Sequence, residues 1–223
     1  ELEGANDVET FTIDSSTYAI VTSNVDDGVQ IIDISDPENI EAKDSMVDTG
    51  SLKLDGARDV ATFVIGSSTY AIVASRDDNG VQIIDISDVD TLVAKGSMDD
   101  TDGSLELDGA RGVDVFTIGS STYAIVASED DNGIQIIDIS DPNNIVAKDA
   151  ETDEENGFDV FDGATDVDTF VIGSSTYAIV TSRGDSGVQI IDISDPNNIV
   201  AKDAETDGEN GFTILNQARA VDV

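Results

Sequence analysis

The chain contains no cysteine, no histidine and no tryptophan, and its 223 residues include only ten Lys plus Arg against 48 Asp plus Glu. The missing thiol removes disulfides, thiolate metal sites and cysteine nucleophiles together. The missing imidazole removes the Ser-His-Asp triad and most zinc hydrolase sites. Without tryptophan, a sugar-stacking platform is reduced to four Tyr and seven Phe. A formal net charge of −38 repels phosphate backbones over most of the surface, which excludes nucleic acid as a partner, and the same deficit excludes a polybasic membrane-docking face. No apolar run approaches the roughly 18 residues of a membrane span. The longest, Val29 to Ile34, is interrupted by Gln30 and Asp33, so no membrane insertion is expected.

What is present is one unit copied four times. The phrase STYAIV recurs with its tyrosine at Tyr18, Tyr70, Tyr123 and Tyr177, spacings of 52, 53 and 54 residues. The phrase [VI]QIIDISD recurs with it and places Asp33, Asp85, Asp138 and Asp192 at the same intervals. A leading Gly-Ala step opens each unit at Gly4, Gly56, Gly109 and Gly163, and a degenerate copy opens at Gln217-Ala218. The units are therefore drawn as 1–55, 56–108, 109–162 and 163–216, with 217–223 as the first strand of a fifth.

Each unit reads as four short strands. In the second, Val60 to Ile65 is rich in β-branched residues, Gly66-Ser67-Ser68 supplies a turn, and Thr69 to Ser75 resumes the strand pattern. Asp78-Asn79-Gly80 carries the Asn-Gly step of a type I′ hairpin and launches Val81 to Ser87. A short fourth strand follows around Val93 to Lys95. The third strand, VQIIDIS, is apolar on both faces, as expected of a sheet covered on both sides. Four antiparallel strands per unit, stacked so that neighbours sandwich each sheet, give an all-β fold: a β-propeller of about four four-stranded blades.

The run YAIVxSxxDxGVQIIDISDPxNI resembles the LVIVD-type propeller repeat, a family of bacterial and archaeal, largely surface or secreted proteins. The resemblance covers all four copies. It implies an extracellular or cell-surface propeller, and a repeat that defines a blade without carrying a catalytic signature.

Three sets of residues are candidates for sites. Arg58, Arg111 and Arg219 share the start of the innermost strand, where guanidinium forks can hold a small anion. The connections between units are acidic and vary in length. In them Asp100, Asp102 and Glu106, then Asp153 with Glu155 and Asp207 with Glu209, offer the oxygens a hard cation such as Ca²⁺ requires, although none matches an EF-hand loop. No cofactor is required, and Ca²⁺ is the one cation these residues suggest. The repeated Asp33, Asp85, Asp138 and Asp192 are read as structural, accepting backbone N–H bonds that tie strand three to the next turn. Lys43, Lys95, Lys148 and Lys202 are read as ending the fourth strand and pairing with nearby acids, and Arg76 and Arg183 as partners of Asp77, Asp78 or Asp185.

Because almost every polar position recurs in each copy, the expected function is a non-catalytic structural or adhesion module, with a Ca²⁺-binding or small-anion-binding module as the alternative and a carboxylate-based glycosidase behind both. The expected partners are further copies of the repeat, through self-association or continuation in a head-to-tail array, and a surface glycan or protein. The segment Ala218 to Val223 would otherwise be an unpaired innermost strand.

Overall fold

The computed structural model of the protein describes residues 2–101 and 103–223. It forms a four-blade β-propeller, each blade a four-stranded antiparallel sheet with strands in sequence order. Blade 1 holds β1 (Ala5–Ile13), β2 (Ser16–Ser23), β3 (Gly28–Asp33) and β4 (Glu41–Val47). Blade 2 holds β5 (Ala57–Ile65), β6 (Ser68–Ser75), β7 (Gly80–Asp85) and β8 (Val93–Asp99). Blade 3 holds β9 (Ala110–Ile118), β10 (Ser121–Ser128), β11 (Gly133–Asp138) and β12 (Val146–Thr152), and blade 4 holds β13 (Ala164–Ile172), β14 (Ser175–Ser182), β15 (Gly187–Asp192) and β16 (Val200–Thr206). The first strands β1, β5, β9 and β13 pack on one another in that order and form the inner wall, with no comparable packing from β13 back to β1 among the described residues.

The doubly apolar strands explain the stacking. In β6, Ala71 and Val73 enter the core shared with blade 1, while Ile72 and Ala74 enter the core shared with blade 3. One strand of period two thus feeds two interfaces. Each interface is sealed by a fully buried side chain from the connecting segment, namely Leu54, Leu107 and Phe161. Within each blade, a Phe of the first strand stacks on the repeat tyrosine opposite it, as Phe63 does on Tyr70 at 5.5 Å. The tyrosine ring is therefore held within its own blade as well as against the interface.

Two local readings change. The Asn-Gly step is not a type I′ turn: Asn79 alone takes the left-handed conformation (φ 52°), in a four-residue loop. Gly80 is needed for a different reason, because a Cβ there would lie 2.3 Å from the Met98 carbonyl oxygen. The Asn79 side chain meanwhile accepts the Gly109 N–H (3.1 Å) of the next blade, so the turn residue also clasps two blades together. The fourth strand is longer than read and runs to Asp99, with Lys95 in its interior. A bulge opposite Gln82 makes this possible: buried Gln82 donates to the carbonyls of Lys95 and Gly96 (both 3.2 Å) and its Oε1 accepts the Lys53 N–H.

Candidate functional site

The inner wall borders a channel of about 550 Å³ lined by six carboxylates of the first strands, those of Asp7, Glu9, Asp59, Asp114, Asp166 and Asp168. Asp222 lines it as well, and among the described residues no Lys or Arg does. Period two places these acids: Asp7 and Glu9, or Asp166 and Asp168, are two residues apart on one strand and point the same way. Several also join neighbouring blades. The Val60 N–H donates to Asp7 (3.2 Å), Val113 N–H to Asp59 (2.7 Å), Thr169 N–H to Asp114 (2.8 Å) and Val221 N–H to Asp166 (2.8 Å).

Burial dominates the electrostatics of this wall. It lifts Asp166 to about 6, with the Asp7 and Asp168 charges adding to the rise against the backbone donors of Val221 and Val167. It also pushes up Asp114, Glu9 and, furthest, Asp59, which shares a hydrogen bond with the Asp7 carboxyl. Like charges in a desolvated wall cannot all ionise, so protons are retained there near neutrality.

The pH dependence of stability follows from these directions. A carboxyl whose pKa is higher in the folded than in the unfolded state binds more protons when folded, so its effect is to raise stability as pH falls through that window. Asp166 alone contributes on the order of 2 kcal/mol to this rise between neutrality and pH ~4. Below that, Asp33, Asp85, Asp138, Asp192 and Glu129, all held below their ordinary range, take up protons and stability is lost. Melting temperature measured against pH is expected to peak near pH ~5 and to be lower at pH ~8.

The repeated Asp of strand three is structural. Ser35, Ser87, Ser140 and Ser194 donate their N–H to Asp33, Asp85, Asp138 and Asp192 (2.9–3.1 Å). Lys95, Lys148 and Lys202 pair with Asp85, Asp138 and Asp192 at 3.2, 3.5 and 3.1 Å, and Lys43 reaches Asp90 at 3.8 Å. The channel acids are hard to single out in the sequence because the phrase IIDIS repeats its acid in every unit and the first strand does not. The available signal was there: Asp7, Asp59 and Asp166 stand two residues after the Gly-Ala alanine, and Gly112 takes that place in blade 3, where a Cβ would lie 2.6 Å from the Asp166 Cα.

Arg58, Arg111 and Arg219 come together in a recess of about 190 Å³ that shares Asp7, Asp59 and Asp166 with the channel. Arg111 (2.7 Å) and Arg183 (3.2 Å) both donate to Glu129, and Arg76 lies at ion-pair distance from it (3.4 Å). Arg183 thus pairs with a carboxylate of the preceding blade instead of Asp185, and Arg76 adds Asp130 (2.9 Å) to the expected Asp77 (3.8 Å). Arg58 has one long hydrogen bond, to Asn6 (3.4 Å), and a buried Nε without a partner. Burial and the nearby Arg111 and Arg76 charges hold its pKa down.

The acids of the connecting loops mostly hold the loops themselves. Asp100 accepts the Leu105 N–H (3.0 Å), Asp153 the Phe161 N–H (3.0 Å) and Asp207 the Leu215 N–H (2.9 Å). Glu106 is lifted to about 7 by burial and by the charges of Asp131, Asp100 and Glu155. Glu209 lies in the turn that closes with its carbonyl accepting the Phe212 N–H (2.7 Å), and Asp102 lies outside the described residues. Among the described residues no three carboxylates gather as a cation site. Screening of the net −38 charge is expected to raise the melting temperature with NaCl. CaCl₂ matched in ionic strength is expected to raise it equally, and a further rise with Ca²⁺ would reveal a specific site.

Comparison with known proteins bears on what this channel does. The LVIVD repeat is matched at residues 57–100, 119–150 and 174–204. No curated protein matches the sequence. Among solved structures, an exo-β-1,3-galactanase from Phanerochaete chrysosporium superposes with a TM-score of 0.61 at 10% identity, over 92% of this chain and 50% of that one. A family 117 glycoside hydrolase from the marine bacterium Zobellia galactanivorans gives 0.60 at 8% identity, over 90% and 69%. A family 32 β-fructofuranosidase from Bombyx mori gives 0.55 at 11%, over 92% and 50%. The chain thus spans about half the length of the galactanase, and at such identities the likeness is one of fold. It nevertheless corrects the expectation of a non-catalytic module: the solved structures sharing this architecture include glycoside hydrolases, so propeller blades of this kind are no argument against an enzyme. Among the described residues no helix is long and apolar enough to cross a membrane.

Proposed function

On a scaffold built of LVIVD repeats, matched in its second, third and fourth blades, we infer a carbohydrate-active propeller that cleaves glycosidic bonds with the carboxylates of its channel. The observation that carries this reading is Asp166, lifted to about 6 beside the charge of Asp7. Glycoside hydrolysis needs two carboxyls in different protonation states, one acid and one base or nucleophile, and requires neither imidazole nor thiol. Asp166 donates its proton to the glycosidic oxygen as the bond to the anomeric carbon breaks. Water adds to that carbon from the other face, and its proton passes to a second carboxylate of the channel wall.

Arg58 and Arg219, neither of which has an ion-pair partner among the described residues, stand in the recess adjoining this pair with Arg111. They favour a substrate bearing a carboxylate or sulfate, since a guanidinium without an ion-pair partner in so acidic a chain is free to take an outside anion. Such substrates fit an extracellular or cell-surface location. The test is reducing-sugar release from a panel of neutral, uronate-bearing and sulfated oligosaccharides. Release from an anionic member, with activity falling above pH ~6, is expected, and no release from any member would refute the reading.

A further inference from the structure

The two outer faces of the four-blade stack are halves of an interface that the molecule already builds three times. On blade 1, Val8 is 56% exposed, whereas its equivalents Val60, Val113 and Val167 are 4%, 4% and 3% exposed against the preceding blade. Ile40 is 63% exposed, against 9% and 4% for its equivalents Leu92 and Ile199. On blade 4 the opposite face is uncovered. Ile179, Val188 and Ile190 are only half-buried, whereas the corresponding Ile72, Val81 and Ile83 of blade 2 are fully buried.

One part of the missing neighbour is in place. Residues 217–223 lie where the first strand of a next blade would lie. Ala218 N–H donates to the Leu215 carbonyl (2.9 Å), as Ala57, Ala110 and Ala164 do to Leu54, Leu107 and Phe161. Val221 and Val223 donate to Asp166 (2.8 Å) and Asp168 (2.6 Å), repeating the blade-to-blade bond of Val113 to Asp59. Among the described residues this segment pairs with no second strand, and it lines the same channel as Asp7 and Glu9 of blade 1. The uncovered faces of blades 4 and 1 therefore flank one sector of one ring.

We propose that this sector is the docking site for three further strands of the same repeat, which pair with residues 218–223 and close the ring as a fifth blade. The occupant is set by complementarity. The face it meets on blade 1 is the face that blade 1 itself meets on blade 2, one unit earlier in the cycle, and likewise for blade 4. A second four-blade copy fits less well, since its own β1 would have to displace the segment already bound to Asp166 and Asp168. Closing the ring also walls the channel on its open side, which bears on the channel whether or not it hydrolyses glycans.

The test extends the full chain after Val223 with a copy of residues 63–108, which continues the register of Ala218 on Ala57. The extended chain is expected to stay monomeric by light scattering and to melt roughly 10 °C higher than the 223-residue form. Val8→Asp supplies the second readout: it is expected to leave the melting temperature of the 223-residue chain nearly unchanged and to lower that of the extended chain by several degrees. Three results would overturn the proposal: an extended chain that melts at or below the shorter one, an equal effect of Val8→Asp in both, or a 223-residue dimer that Val8→Asp dissociates.

Discussion

Asp166→Asn is expected to lower kcat for glycoside cleavage by about 10²–10⁴-fold, with KM little changed. The amide retains an oxygen that can accept the Val221 N–H now bonded to Asp166 (2.8 Å), so the fold is kept while the proton donor is lost. The loss should be selective. An aryl glycoside with a good leaving group needs little protonation, and its cleavage should survive far better than that of a natural linkage. The fall in activity above pH ~6 should vanish from the residual rate. Stability should move the other way: at pH ~8 the variant no longer bears a charge that burial disfavours, and it should melt slightly above the parent. Equal loss on both substrates would mean that Asp166 only positions the channel.

Phe161→Ala is expected to be among the most damaging single changes to stability, costing about 3–5 kcal/mol and roughly 10 °C in melting temperature. Phe161 is fully buried in the core between blades 3 and 4 and lies 5.4 Å, ring to ring, from Phe158. Its neighbours are held by two sheets and cannot collapse into the space. Leu54→Ala and Leu107→Ala, at the other two interfaces, should each cost about 2–5 kcal/mol. Leu215 stands at the same register but is only half-buried, and its replacement by Ala should cost far less. Urea unfolding of the four variants checks the order. A Leu215→Ala cost equal to that of Leu107→Ala would mean that the segment after blade 4 is already enclosed.

The blades were legible because their signals are local. STYAIV and GVQIID are strands by composition, and their apolar residues on both faces announce stacking before any contact is known. The Asn79-Gly80 step suggests a type I′ turn and is not one, because its glycine answers to a constraint the sequence does not display, the approach of the Met98 carbonyl on the neighbouring strand. Lys95 reads as a strand end because the bulge opposite Gln82 depends on hydrogen bonds to residues thirteen and fourteen positions along the chain. The channel was the least legible part. Asp7, Asp59, Asp114 and Asp166 are ordinary acids in an acidic chain, and what sets them apart is that four separate first strands bring them to one wall. Repetition points two ways: Asp33, Asp85, Asp138 and Asp192 recur in every blade and are structural, whereas Asp7, Asp59 and Asp166 recur in three blades and meet at the channel, a distinction that spacing alone does not display.

Direct titration of the aspartate carboxyls tests the central claim, that the channel wall keeps a proton near neutrality. With ¹³Cγ-labelled aspartate, NMR spectra between pH ~8 and pH ~4 are expected to show a resonance with its midpoint at about 6 that is absent from Asp166→Asn. If that resonance instead stays ionised down to pH ~4.5, Asp166 holds no proton to give, and the account of the channel as a site of acid catalysis is contradicted.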